Sequence, residues 1–111
     1  MTAPADRFVP GDAQPVEVMP GMRARFVHTD HLTVAHWTIE AGAEVPLHEH
    51  PHEQVVNLLQ GSFEMRVADE VYVMAPGDTV VVPGGVPHAA RARTDVRCLD
   101  VFLPVREEYR L

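Results

Sequence analysis

Two imidazoles separated by a single residue, His48 and His50, open the part of this 111-residue chain whose side chains could do chemistry; Gln54 and His88 extend the set to four neutral donors. Side chains of an extended segment alternate between its two faces, so His48 and His50 point the same way. Gln54 follows at a further even step, whereas Glu53 would face away, although Pro51 can bend the chain between them. A second stretch, residues 77–88, reads as a buried valine-rich strand, a tight turn through Pro83, Gly84 and Gly85, and a new strand that opens on His88. Three imidazoles and an amide oxygen suit one divalent transition-metal ion, nickel, zinc, iron or manganese. Ligand sets with positions left open belong to reactive rather than closed structural sites. A single histidine is ordinarily a packing or surface residue. Here glycines and prolines frame both groups, which sets these histidines apart.

A second group lies near the C-terminus. Along residues 97–103 a period of two puts Cys98, Asp100 and Phe102 on one face and Leu99, Val101 and Leu103 on the other. Two readings of Asp100 stay open. If both faces are partly buried, its carboxylate shares a pocket with Phe102 and needs a partner, for which Arg106 is the candidate. Otherwise Asp100 is a solvated strand residue and Arg106 joins Glu107 and Glu108 in a charged tail. Among the other histidines, His52 is expected at the rim in a supporting role. His36 beside Trp37 reads as packing, and His28 and His31 flank a turn. Tyr109 reaches the pocket mouth or packs outside.

The elements that must position these groups are short β-rich runs at 23–28, 31–39, 54–60, 62–67, 71–74, 79–82 and 96–103, cut by Gly, Pro and Asp turns. That spacing predicts a single-domain, all-β sandwich or closed barrel over residues 21–111. Residues 1–20, with Pro4, Pro10, Pro15 and Pro20, are expected to form an extended, partly strand-like arm able to cross to a partner. Only residues 107–110 look helical.

Composition narrows the chemistry. Nine basic residues against sixteen acidic ones leave a net charge of -7, which repels phosphate backbones and anionic lipid, so neither nucleic acid nor membrane is expected as a partner. All nine basic residues are arginine, which excludes Schiff-base catalysis, lysine-anchored pyridoxal phosphate and the phosphate-binding Walker lysine. The single cysteine, Cys98, permits no intrachain disulfide. No long apolar segment opens the chain or runs through it, and a cytoplasmic protein is expected.

The stretch from Gly42 through His48, His50 and Gln54 to Gly61, and that from Gly77 through Pro83 and Gly85 to His88, resemble the two signature motifs of the cupins. The resemblance implies a double-sheet, Greek-key jelly-roll barrel. Where most cupins carry a glutamate ligand this chain has Gln54, and Ala92 replaces an asparagine common after the second motif. A neutral amide leaves the ion's double positive charge uncompensated, which favours a small anionic substrate and Lewis-acid chemistry. A closer resemblance, over roughly residues 40–110, is to cupins of the pectin-degradation type known as KdgF, which pair three His and one Gln with an Asp-x-Phe sequence followed by an Arg. Asp100, Phe102 and Arg106 occupy those places here. The implied activity is an isomerase-type ring opening and ketonisation of 4,5-unsaturated uronates from pectin or alginate breakdown. Asp100 would carry the proton, Arg106 would hold the sugar carboxylate and Phe102 would shape the pocket. The same resemblance implies a homodimer. Competing expectations are a metal-dependent cupin dioxygenase, a polyketide-cyclase-like cupin with a flatter apolar pocket, and a small-molecule-binding cupin without turnover.

Overall fold

Alternation of buried and less buried side chains marks the strands that build the core. In the computed structural model, which describes residues 4–110, the strands are β1 (Val16–Met19), β2 (Met22–His28), β3 (Thr33–Ile39), β4 (Glu44–His48), β5 (Glu53–Gln60), β6 (Phe63–Val67), β7 (Glu70–Met74), β8 (Thr79–Val82), β9 (His88–Ala92) and β10 (Val96–Leu103). Single 3-10 turns occupy Pro10–Asp12 and Glu107–Tyr109. Residues 1–3 of the expected arm and residue 111 lie outside the described residues. No helix among the described residues is long and apolar enough to cross a membrane.

Two antiparallel sheets result, a six-stranded one in the order β1-β2-β3-β10-β5-β8 and a four-stranded one in the order β4-β9-β6-β7. The last strand, β10, sits between β3 and β5, so the sheet closes only through pairings distant in sequence, and the fold is the jelly roll expected. Its inward residues Val96, Cys98, Asp100 and Phe102 are all buried. Register then fixes their neighbours: Asp100 stands opposite Ala35 and Val56, and Phe102 opposite Thr33 and Gln54. Between the sheets lies a core that includes Trp37, Ile39, Leu58, Phe63, Met65 and Met74.

Three expectations change. The strand-like part expected within the arm is Val16–Met19, which forms β1 and pairs with β2, so the boundary expected at residue 21 falls inside the sheet. The residues ahead of it lie on the chain's own sheet: the Arg25 Nε donates to the Ala13 carbonyl at 3.0 Å, and Phe8 stacks on His36 with centroids 5.1 Å apart. The run expected to start at residue 31 starts at Thr33, because the Thr29 hydroxyl accepts the His31 and Leu32 amides at 3.1 and 3.0 Å and holds a turn there. Finally, β8 is an edge strand and not a buried one. Val82 is fully covered, but Val81 is 53% exposed.

Gly61, in the turn between β5 and β6, shows how tightly one end is closed. Its φ is +93°, and a Cβ there would lie 2.1 Å from the Asp95 carbonyl oxygen. The substitution Gly61→Ala should cost about 2 to 4 kcal/mol, combining the backbone strain of a left-handed residue with this clash, measured by urea denaturation.

Candidate metal centre

His48 ends β4, His88 begins β9, and the two face each other in the register of the smaller sheet. His50 stands in the loop after β4, and Gln54 is the first inward residue of β5, 9% exposed beside an exposed Glu53. The expected alternation therefore holds for Glu53 and Gln54. His48 and His50, by contrast, converge through a loop and not along one strand. Candidate donor atoms of His48, His50 and His88 all lie within 4.8 Å of one another.

Hydrogen bonding settles which ring nitrogens face inward. Each Nδ1 lies against a backbone carbonyl that can only accept: His48 with Pro46 at 2.8 Å, His50 with His52 at 3.0 Å, and His88 with Val86 at 2.9 Å. Nδ1 must therefore carry the proton in all three. Burial pushes the His50 and His88 pKa values below the ordinary histidine value, with the Arg106 guanidinium adding to the effect at His50. These two rings are then neutral near pH 7, and each Nε2 offers a lone pair. The Nε2 of His88 is buried without a hydrogen-bond partner.

The Gln54 side chain fits the same purpose. Its Nε2 donates to Asp100 Oδ2 at 2.8 Å, which turns Oε1 toward the histidines, 3.1 Å from His50 Nε2. Two unprotonated acceptors this close repel unless a cation lies between them. Ligand atoms on perpendicular bonds of about 2.1 Å to one ion stand about 3 Å apart, so this spacing suits a shared divalent ion. The donor set thus fits the metal that the sequence leads one to expect.

The loop carrying His50 is held by the β8–β9 turn. Gly85 donates its amide to the His50 carbonyl at 2.8 Å, and a Cβ on Gly84 would lie 2.3 Å from the Pro51 carbonyl oxygen. The Gly84-Gly85 pair is visible in the sequence, but its contact with the His50 loop is not. His52 contributes its backbone carbonyl to His50, and its side chain is buried and not at the open rim where it was expected.

Asp100 is 5% exposed, which settles the open question in favour of a buried carboxylate. Burial raises its pKa to about 7, partly opposed by the Gln54 hydrogen bond and by Cys98 and Trp37 alongside. The expected Asp100–Arg106 pair does not form. The Arg106 guanidinium is paired with Glu108 and lies over the rings of Tyr109 and Phe102, 4.3 and 4.9 Å from their centroids. Register explains the difference: Asp100 lies deeper in the barrel behind Gln54, while Arg106 follows the end of β10. Both still line one cavity with His48, Gln54, His88 and Phe102, and Tyr109 lines it too. Phe102 presents its ring to His50 at 6.0 Å between centroids. Apart from these groups the walls are largely apolar, including Met22, Trp37, Ile39 and Met65.

Comparison with known proteins places this geometry. A family model for the cupin domain matches residues 35–102. No curated protein matches the sequence significantly. The fold is similar to that of KdgF from a Halomonas species, with a TM-score of 0.89 and 29% identity over 95% of this chain and 98% of that one. It is also similar to an RmlC-like cupin from Shewanella frigidimarina, with a TM-score of 0.87 and 27% identity over 95% and 96% of the two chains. A variant of Bacillus subtilis oxalate decarboxylase aligns at a TM-score of 0.81 and 23% identity over 94% of this chain and 30% of that one, a likeness in fold alone.

The clamp on the His50 loop makes Gly84→Ala informative. This substitution touches no ligand, yet it should weaken zinc or nickel binding roughly 10- to 100-fold by displacing Pro51 and with it His50, measured by competition with a chromogenic chelator.

Proposed function

The chain belongs to the cupin domain family and is a small cupin resembling KdgF; from that premise we propose that it is a metal-dependent enzyme that opens and ketonises 4,5-unsaturated uronate monosaccharides. The observation that carries the reading is the buried Asp100 carboxyl, sharing one cavity with His48, His88, Gln54 and Arg106, with His50 converging on the same two imidazoles. The likeness to KdgF of a Halomonas species supports it.

The substrate is a cyclic enol ether, because its ring oxygen is attached to the alkene. Held by His48, His50, His88 and the Gln54 oxygen, a divalent ion supplies Lewis acidity, and with no carboxylate among its ligands it favours an anion. Asp100, with a pKa near 7, is poised both to accept and to return a proton near neutral pH. Its Oδ1 has no hydrogen-bond partner, and we assign the proton to that atom. Asp100 takes the proton of the anomeric hydroxyl, the bond from the anomeric carbon to the ring oxygen breaks, and the ring oxygen leaves with the electron pair as an enolate. Returning the proton to the alkene carbon adjacent to the enolate carbon gives the ketone, and the anomeric carbon becomes an aldehyde. No atom or electron is gained or lost overall.

Arg106 holds the sugar carboxylate in this scheme, releasing Glu108 to do so. Phe102 supports the guanidinium from below and closes the wall beside His50. The apolar walls exclude water and strengthen the electrostatic contacts.

The reaction removes a conjugated alkene, so its ultraviolet absorbance reports progress. Metal-loaded protein added to freshly lyase-generated unsaturated uronate should accelerate the decay well beyond the spontaneous rate; equal rates would exclude the activity. Asp100→Asn should lower kcat by about 100-fold or more while leaving bound metal unchanged. Loss of metal in that variant would instead mean that its effect passes through the orientation of Gln54.

A further inference from the structure

After β10 the chain does not leave the barrel. Residues 104–110 turn back along it and bring Arg106 and Tyr109 to the cavity. Three hydrogen bonds hold this segment to the β2–β3 hairpin. The Arg106 amide donates to Thr33 Oγ1 at 2.9 Å, His28 Nε2 meets the Tyr109 carbonyl at 3.1 Å, and Arg110 Nη2 donates to the Thr29 carbonyl at 3.0 Å.

The first two bonds are coupled through a single proton arrangement. A carbonyl can only accept, so His28 Nε2 must carry the proton toward Tyr109. In the neutral ring Nδ1 is then an acceptor, and its 2.8 Å partner, the Thr33 hydroxyl, must donate to it. That leaves a Thr33 oxygen lone pair for the Arg106 amide. With that ring neutral, one orientation satisfies the Arg106 amide, the Thr33 hydroxyl, both His28 nitrogens and the Tyr109 carbonyl together. Thr33 itself is 0% exposed, so no water substitutes for it. Tyr109 completes the attachment by stacking on Phe26 with centroids 4.4 Å apart, and Arg106 lies over the Tyr109 ring.

We propose that Thr33 and His28 are positioning residues: together they latch the C-terminal segment onto the β2–β3 hairpin and thereby fix where the Arg106 guanidinium stands beside the metal cavity. Neither side chain is among those lining the cavity. Their effect on a bound carboxylate passes through Arg106, and the functional half of the proposal rests on the assignment of Arg106 to the substrate carboxylate.

Hydrogen–deuterium exchange on the full metal-loaded chain tests the latch without any substrate. Thr33→Val keeps the shape of the buried side chain but removes the acceptor, and the Arg106 amide should exchange about 10-fold faster or more, with Thr33→Ser restoring protection. In the uronate assay Thr33→Val should raise KM about 10-fold with kcat within about twofold of wild type, the pattern of lost substrate binding, and Thr33→Ser should again restore it. Should Thr33→Val fail to fold, His28→Phe, at a half-buried strand end, frees the Tyr109 carbonyl and should give the same two changes in smaller measure. Unchanged exchange at Arg106 overturns the latch, and faster exchange with an unchanged KM overturns the positioning role. A wild-type chain inert toward the uronate would defeat the proposed reaction, and exchange at Arg106 would then decide the latch alone.

Discussion

Three imidazole rings converge in this barrel because each has its Nδ1 proton bound to a carbonyl two residues away. Pro46, His52 and Val86 supply those carbonyls, and in doing so they fix the tautomer and the ring plane before any ligand arrives. The rest of the site follows from that constraint. With Nδ1 committed, Nε2 is the only donor left, and it points into a space where protein partners are scarce. His88 Nε2 has none, and that of His50 faces another acceptor. The backbone geometry that places these carbonyls comes from the jelly roll, in which the end of β4, the loop after it and the start of β9 meet at one rim.

Asp100 extends the same logic inward. By accepting the Gln54 Nε2 proton it decides which end of the amide faces the histidines. A glutamate at position 54 would place two carboxylates at this spacing, and like charges so close disfavour joint ionisation. Gln54 and Asp100 thus read as a matched pair, in which the neutral amide allows a carboxyl to lie behind it in a mainly apolar wall. At the other end of the cavity Arg106 is held by aromatic faces and by Glu108, away from Asp100, so the positive and negative groups of the site remain separate.

Much of this was legible in the sequence, for identifiable reasons. Period-two alternation placed Cys98, Asp100 and Phe102 on the inward face of β10, because a strand central to a sheet with one face on the core leaves little choice of register. Gln54 was separable from Glu53 on the same ground. Strand parity does not account for the His48 and His50 pairing, because β4 stops at His48 and His50 lies in the loop beyond it. The valines of β8 match an interior strand, yet it lies at an edge, because composition does not distinguish the two. The Asp100–Arg106 pair failed for a related reason: proximity along the chain says nothing about depth in the barrel. Least visible were contacts between distant segments, Gly84 against Pro51 and Thr33 beneath Arg106, since neither residue type announces its partner.

The central claim is that His48, His50 and His88 each hold a proton on Nδ1 and present Nε2 to one divalent ion. Long-range nitrogen-15 NMR of the imidazole rings tests it directly, recorded on the protein before and after one equivalent of zinc. The account predicts protonated Nδ1 in all three rings after zinc, with the metal-induced shift confined to their Nε2 atoms. A proton on Nε2 of any of the three in the zinc-loaded protein, or a shift that falls on Nδ1, would contradict it.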